Sequence, residues 1–314
     1  MPGKTGLSVM IYSLIYSIVF LLSRIPYPLA RLAGKLLGAG FSRLPIMRRD
    51  EVFGNIVRSF EGQLDEEDCR KILKRVYIHF GQMIFEVPHI LRLNHENLSD
   101  YVVFENEENL RIALARGKGV FILTAHFGNW ELMSAAVTLQ FGKAAAVIVR
   151  PIDYAPLDRL MSGLRSRFGT EVIAKQGAMR RIISALREQK MIGILLDQNV
   201  DWYEGVFTPF MGRWACTNKG LALMAVRTGA PVVPVFSVRE SDGRHRIIFE
   251  KEVPLVIGDK TTEVEENTIL FTQVIESFVR RYPDQWFWFH RRWKTRNFCT
   301  LTQQEVRIQD VGIG

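Results

Sequence analysis

The sequence predicts an α/β fold: a mixed, largely parallel sheet flanked by helices, with an N-terminal membrane-associated helix ahead of it. Three observations carry that reading. Short apolar runs bounded by turn residues alternate with amphipathic helical stretches, the pattern of strands buried on both faces and their crossover helices. The 314 residues are 47% hydrophobic, enough to bury the core of one large domain. Leu7 to Leu22 is an uncharged, mostly apolar run, near the lower limit for crossing ~30 Å of hydrocarbon.

That run lies between Lys4 and Arg24, so it either spans the bilayer with its flanking cations at the surface or lies deep in one leaflet. A cleaved signal peptide is disfavoured, because no small-x-small site follows Leu22 before Arg24-Ile25-Pro26. Pro28 to Leu44 sets Arg31, Lys35 and Arg43 among Leu, Ala and Gly at helical spacing, which suits an interfacial amphipathic helix. Residues 1–45 therefore read as an anchor and residues 46–314 as a catalytic domain. Asp65 to Leu93 is charged and helical, with Ile72, Val76 and Phe80 on its apolar face.

Strands are expected at Val120 to Thr124, Ala144 to Val149, Glu171 to Ala174, Ile192 to Leu196, Val232 to Val238 and Arg246 to Lys251. Helices are expected at Trp130 to Gln140, Ala155 to Phe168, Ala178 to Gln189, Lys219 to Thr228 and Val264 to Arg281. No internal repeat or low-complexity linker interrupts them.

A net charge of +8 and a pI near 9.5 favour an anionic partner: phospholipid headgroups, a phosphorylated glycolipid, an acidic carrier protein or nucleic acid. Nucleic acid is the poorest of these, since zinc-finger spacing, an RNP-type aromatic motif and a basic helix free of apolar partners are all lacking. Cys69, Cys216 and Cys299 are too few and too far apart for a disulfide framework or a metal cluster, so a reducing, cytosol-facing domain is expected. His-Glu-x-x-His is absent, and His95-Glu96 lacks its second histidine, so no metal is expected.

The chemistry concentrates in Val120-Phe-Ile-Leu-Thr-Ala-His126-Phe-Gly-Asn-Trp-Glu131. A histidine can take a proton from a hydroxyl when a carboxylate on its other ring nitrogen fixes the tautomer. Gly128 allows the turn after the strand, Asn129 is a favoured N-cap, and Glu131 falls in the first helical turn within reach of His126. The bland alternative is a turn histidine beside a carboxylate that complements the helix dipole. In open α/β sheets sites form at the carboxyl ends of strands, and His126, Arg150 and Asp197 each follow a predicted strand, so the three should converge. Arg150 suits a phosphate or a thioester carbonyl; Asp197-Gln198 either positions an acceptor hydroxyl or holds the next loop; Arg165 and Arg167 read as a solvated helix face. Phe207-Thr-Pro-Phe-Met-Gly-Arg-Trp214 reads equally as an acyl-channel or membrane-dipping loop and as a folded-back core loop. Trp286-Phe-Trp-Phe-His-Arg-Arg-Trp-Lys294 alternates aromatics with cations as interfacial segments do, or forms a final edge strand. His290 within it is a second candidate base or a packed histidine.

Together with Asn55-Ile-Val-Arg-Ser-Phe60 and Val149-Arg-Pro151, these motifs stand in an order that resembles the lipid A biosynthesis (late) acyltransferases, the lauroyl and myristoyl branch of the lysophospholipid acyltransferase superfamily, over nearly the whole chain. The resemblance implies His126 and Glu131 as catalytic residues and Asn129, Arg150, Asp197, Gln198, Phe210 and Gly212 as substrate-binding ones. It further implies direct acyl transfer without a cofactor, from an acyl-carrier-protein thioester to a hydroxyl of a lipid A precursor, on the cytoplasmic face of a bacterial inner membrane. Gly-x-Ser-x-Gly is absent and no cysteine falls in a motif, which disfavours an acyl-enzyme. The alternatives are acylation of another membrane glycolipid, such as a phosphatidylinositol mannoside, from acyl-coenzyme A; a hydrolase using the same base; and a non-catalytic membrane-binding protein. A Phe-Pro-Glu-Gly-Thr-Arg block is missing, which points away from simple lysophosphatidate.

Overall fold

The computed structural model describes residues 3–45, 47–258 and 262–296; Cys299 lies outside them. Two helices come first, α1 (Gly3–Arg24) and α2 (Tyr27–Phe41). Pro26 lacks the N–H that would continue α1, while Pro28 sits in the first turn of α2, where no N–H is needed. Gly6–Arg24 is long and apolar enough to cross a membrane, with a mean hydropathy of 2.0. It turns Leu7, Met10, Leu14, Ile18 and Leu21 outward, while Tyr12, Ile15 and Val19 pack on the core.

Next come α3 (Arg49–Ser59) and α4 (Glu66–Glu86). Asp65 caps α4 by accepting the Asp68 N–H at 2.7 Å, and the helix tightens into a 3-10 turn at Val87–Arg92. α2 lies against α4 with backbones almost touching: Gly34 and Gly38 face Gly81, Gln82 and Tyr77, and a Cβ on Gly38 would stand 2.2 Å from the Tyr77 carbonyl oxygen. Only glycine permits that approach.

The remainder is the mixed, largely parallel sheet predicted from the alternating pattern. In chain order it runs α5 (Leu98–Tyr101), β1 (Val102–Glu105), α6 (Glu107–Ala115), β2 (Val120–Thr124), α7 (Trp130–Phe141), β3 (Ala145–Val149), α8 (Ala155–Arg165), β4 (Glu171–Ala174), α9 (Ala178–Arg187), β5 (Met191–Leu195), β6 (Gly205–Phe210), β7 (Arg213–Asn218), α10 (Gly220–Thr228), β8 (Val232–Arg239), β9 (His245–Phe249) and α11 (Glu263–Arg281). The main sheet is ordered β1-β9-β8-β2-β5-β3-β4, and every pairing is parallel except β8 with β9. β2 sits in the middle, buried at each of its five residues, as a central parallel strand covered on both faces must be.

Three segments differ from the sequence reading. β1 is a four-residue strand too short to stand out by periodicity. The apolar stretch around Phe207 is a β-hairpin: β6 and β7 pair antiparallel up to Phe210 opposite Arg213, and Met211 and Gly212 both take positive φ, 52° and 72°, as a two-residue type I′ turn requires. The aromatic run from Trp286 is neither an edge strand nor an exposed interfacial segment; Trp286, Trp288 and Phe289 are buried in the core. Gly38→Ala is expected to lower stability by about 3 kcal/mol, because the new methyl forces α2 off α4; denaturant unfolding measures it, and an unchanged midpoint would mean the two helices separate freely.

Candidate active site

Strand pairing decides what His126 meets. β2 and β5 pair with a constant offset, from Val120 opposite Met191 to Thr124 opposite Leu195, and the Leu196 N–H donates to the Thr124 carbonyl at 3.0 Å. Continued two residues past both strand ends, that register sets Asp197 opposite His126, 71 positions on.

The two side chains meet. Asp197 Oδ1 lies 2.8 Å from His126 Nδ1, and Oδ2 accepts the His126 backbone N–H at 3.0 Å and the Trp286 indole N–H at 2.8 Å. A fully buried carboxylate alone would ionise less readily, but His126, His290 and the Trp286 N–H more than offset the burial and hold Asp197 well below the usual carboxylate range. As Asp197 only accepts, Nδ1 is the nitrogen that donates to it, and in the neutral imidazole the lone pair is then on Nε2. Nε2 lies 3.3 Å from the side-chain nitrogen of exposed Gln198, and the imidazole is 20% exposed. The ring packs edge-on to Trp130 at 5.1 Å.

Among the described residues Glu131 makes no hydrogen bond to the His126 ring. From the first turn of α7 it faces α8, where its oxygens take Arg165 Nη2 at 2.5 Å and Nε at 2.9 Å, with the Trp130 indole N–H at 3.2 Å. The carboxylate on the imidazole is that of Asp197. Arg165, read as a solvated face, is instead half of this largely buried pair.

The other predicted residues scatter. Arg150 projects into solvent at 79% exposure, 3.5 Å from Asp153, and among the described residues no hydrogen bond joins it to His126 or Asp197, so the expected three-way convergence is two-way. Asn129 is fully buried; its Oδ1 caps α7 by accepting the Leu132 N–H at 3.0 Å, and its amide donates to Glu86 at 3.0 Å, so it faces the interior and not the solvent side of the turn. Phe210 is fully buried against Trp286 and Trp293. Gly212 makes the hairpin turn, and a Cβ there would meet open space. Gly128 is the glycine the site cannot replace, since φ is +58° and a Cβ would fall 1.7 Å from the Ser237 carbonyl oxygen.

The segment after α11 completes the site. Phe127 bridges Trp286, the Gly128 N–H donates to the Gln285 carbonyl at 2.8 Å, and the Phe287 N–H to the His126 carbonyl at 2.9 Å. His290 lies between two carbonyls, Phe287 at 2.6 Å and Asp197 at 2.9 Å; burial lowers its pKa to about 4, so the neutral ring donates to one carbonyl at a time. It ties the segment after α11 to the loop after β5. Arg292 is wholly buried and donates to the carbonyls of Gln198 (3.2 Å) and Cys216 (3.0 Å) and to the Thr217 hydroxyl (2.6 Å), bracing the loop that carries Asp197. Trp286 and Arg292 escape a sequence reading because alternating aromatics and cations look alike at a membrane surface and in a core; the single discriminating signal is that β5 ends at a carboxylate needing donors.

Family membership makes the chain an O-acyltransferase. The profile of the bacterial lipid A biosynthesis acyltransferases matches residues 3–295, and the chain belongs to that family. It is 24% identical over 281 residues to the lipid A biosynthesis lauroyltransferase of Escherichia coli strain K12, covering 89% of this chain and 90% of that one. Over 281 residues it is likewise 24% identical to the lipid A biosynthesis palmitoleoyltransferase of the same organism, covering 89% of each. It is also 24% identical to a phosphatidylinositol mannoside acyltransferase of Mycolicibacterium smegmatis, over 221 residues and 69% of each chain.

Burial lowers the pKa of His290 to about 4, of His79 to about 3, and of His245 below its ordinary value. An unfolded histidine takes its proton near ~6.5, so below that the unfolded chain binds protons the folded one refuses, and stability falls with pH down to the folded values. Urea unfolding is expected to give a smaller free energy at pH 5 than at pH 7, with a shallower fall in His290→Asn. Equal values at both pH would mean that these rings are charged in the fold.

Proposed function

We propose that this enzyme transfers a fatty acyl chain from an acyl-carrier-protein thioester to a hydroxyl of a lipid A precursor, with His126 as general base oriented by Asp197. The observation that carries the chemistry is the 2.8 Å contact between His126 Nδ1 and a fully buried carboxylate, which leaves Nε2 unprotonated at the accessible side of the ring. The acceptor hydroxyl takes the place of the Gln198 amide there. Its proton passes to Nε2 as its oxygen bonds to the thioester carbonyl carbon, and Asp197 stabilises the imidazolium. The carbon–sulfur bond then breaks, the leaving thiolate takes the proton from Nε2, and an ester and a thiol remain. Arg150, exposed beyond the carboxyl end of β3, is available to a phosphate of the acceptor. A net charge of +8 complements an acidic carrier.

Lipid A is preferred as the acceptor class because the lauroyl- and palmitoleoyltransferases align over 89% of this chain and the phosphatidylinositol mannoside enzyme over 69%. Residues 1–45 serve as the anchor. The outward face of α1, with Leu29, Leu32 and Leu36 exposed on α2, gives an apolar surface that water disfavours and a bilayer accepts, at the cytoplasmic face of the inner membrane.

With acyl-carrier-protein donors of mixed chain length and a phosphorylated tetraacyl lipid A precursor, mass spectrometry is expected to find one added acyl chain, and none with His126→Ala. Asp197→Asn is expected to lower kcat by at least about a hundredfold, since the amide can stabilise the wrong tautomer. Product from phosphatidylinositol mannoside and acyl-coenzyme A alone would replace both the donor and the acceptor assignments. Removing residues 1–24 is expected to weaken the protein's association with membranes; a truncated chain that still pellets fully in high salt would put the anchor elsewhere.

A further inference from the structure

Under the catalytic turn, on the side away from solvent, lies a second group of ionisable side chains that the transfer step does not use. Its centre is Glu86, at the end of α4 and wholly buried. The carboxylate accepts from Arg239 on β8 through both guanidinium nitrogens Nη1 and Nη2, from His245 Nε2 on β9 at 3.1 Å and from the Asn129 amide at 3.0 Å. Arg239 Nε in turn donates to His79 Nδ1 at 3.2 Å, and His79 Nε2 lies 3.2 Å from the Gly128 carbonyl oxygen.

The partners fix the proton positions. Arg239 can only donate, so His79 Nδ1 is bare and its Nε2–H donates to Gly128. A Glu86 carboxylate can only accept, so His245 carries its proton on Nε2 and receives the Ser237 hydroxyl at Nδ1, 3.1 Å away. The network therefore holds one anion, one cation and two neutral imidazoles, with four N–H donors from Arg239, His245 and Asn129 directed at the Glu86 carboxylate.

Such a pair is a poor means of adding stability, because apolar side chains of equal volume would serve as well. What it provides is directional fixing, and the groups it fixes are Gly128 and Asn129, the second and third residues after His126. The Gly128 N–H is taken by Gln285, whose side chain also bonds the Arg239 backbone at N–H (2.7 Å) and carbonyl (3.1 Å). We propose that Glu86, through Asn129, and Arg239, through His79, are positioning residues that set the place of His126 against Asp197. A displacement of the imidazole by about 1 Å suffices to cost roughly a hundredfold in rate, so the turn needs fixing from below as well as from Asp197.

The inference rests on His126 being the base. Asn129→Ser tests it with little risk to the fold, since serine still caps α7 and the Glu86–Arg239 pair stays intact. We expect kcat to fall about tenfold to a hundredfold with KM within about twofold, and the unfolding midpoint to fall only modestly, since Glu86 loses one donor and keeps Arg239 and His245. Glu86→Gln is expected to lower kcat as well, and the double variant to be no slower than the slower single one, as for residues acting as a unit. Nuclear magnetic resonance of histidine-labelled protein supplies a readout free of substrate: the His126 ring signals should move in Asn129→Ser while those of exposed His95 stay fixed. Wild-type kcat and unmoved His126 signals in a folded Asn129→Ser protein would overturn the proposal, as would losses that multiply in the double variant. If the wild type itself transfers no acyl group, the reading of the site fails, and the resonance comparison alone still decides whether Glu86 positions His126.

Discussion

Everything at the carboxyl edge of the sheet depends on an ionised carboxylate, Asp197, kept out of water. A buried anion is costly unless donors surround it, and Asp197 has an imidazole N–H, a backbone N–H and an indole N–H directed at it. Two of these come from His126 itself, so the backbone turn after β2 and the ring it carries are held by the same carboxylate. The register of two central parallel strands makes the meeting obligatory. A slip of one residue between β2 and β5 would present a different side chain to His126 and move every side chain of the slipped strand to the other face of the sheet.

Around that contact the chain builds three supports from distant segments. The turn after β2 is held from below by α4 and β8, the loop after β5 is braced by Arg292, and the segment from Gln285 to His290 bonds both. Aromatic packing makes the last support stiff: Trp286 meets Phe210 at 5.3 Å and Trp288 at 4.7 Å, contacts worth about 1 kcal/mol each beyond the area they bury. α4 joins the site to the N-terminal helices, receiving the glycine face of α2 at Gly81 and reaching the turn after β2 through His79 and Glu86.

The parallel core was legible in the sequence because its strands are continuous apolar runs between helices of clear period, and β2, β3 and β4 fall within a residue of expectation. The hairpin of β6 and β7 was not, since Phe207-Thr-Pro-Phe alternates poorly and carries a proline. His126 and Asp197 were both visible as residues at strand ends, but their pairing was not. Spacing along the chain favoured Glu131, five residues away, whereas pairing depends on which strands are neighbours, and β2 lies beside β5 across two intervening strands of sequence. Arg150 shows the converse: a strand end brings a residue to the correct edge of the sheet without directing its side chain inward. Asn129 was readable as a cap and misread as a ligand for the same reason, because a buried amide and an exposed one are identical letters.

The indole that completes the Asp197 environment lies 89 residues further along the chain, beyond α11. As the polypeptide is made, His126 emerges well before Asp197, and the Trp286 segment follows both. A chain broken off before Trp286 therefore carries the histidine and the carboxylate without the indole that completes the surroundings of the buried anion.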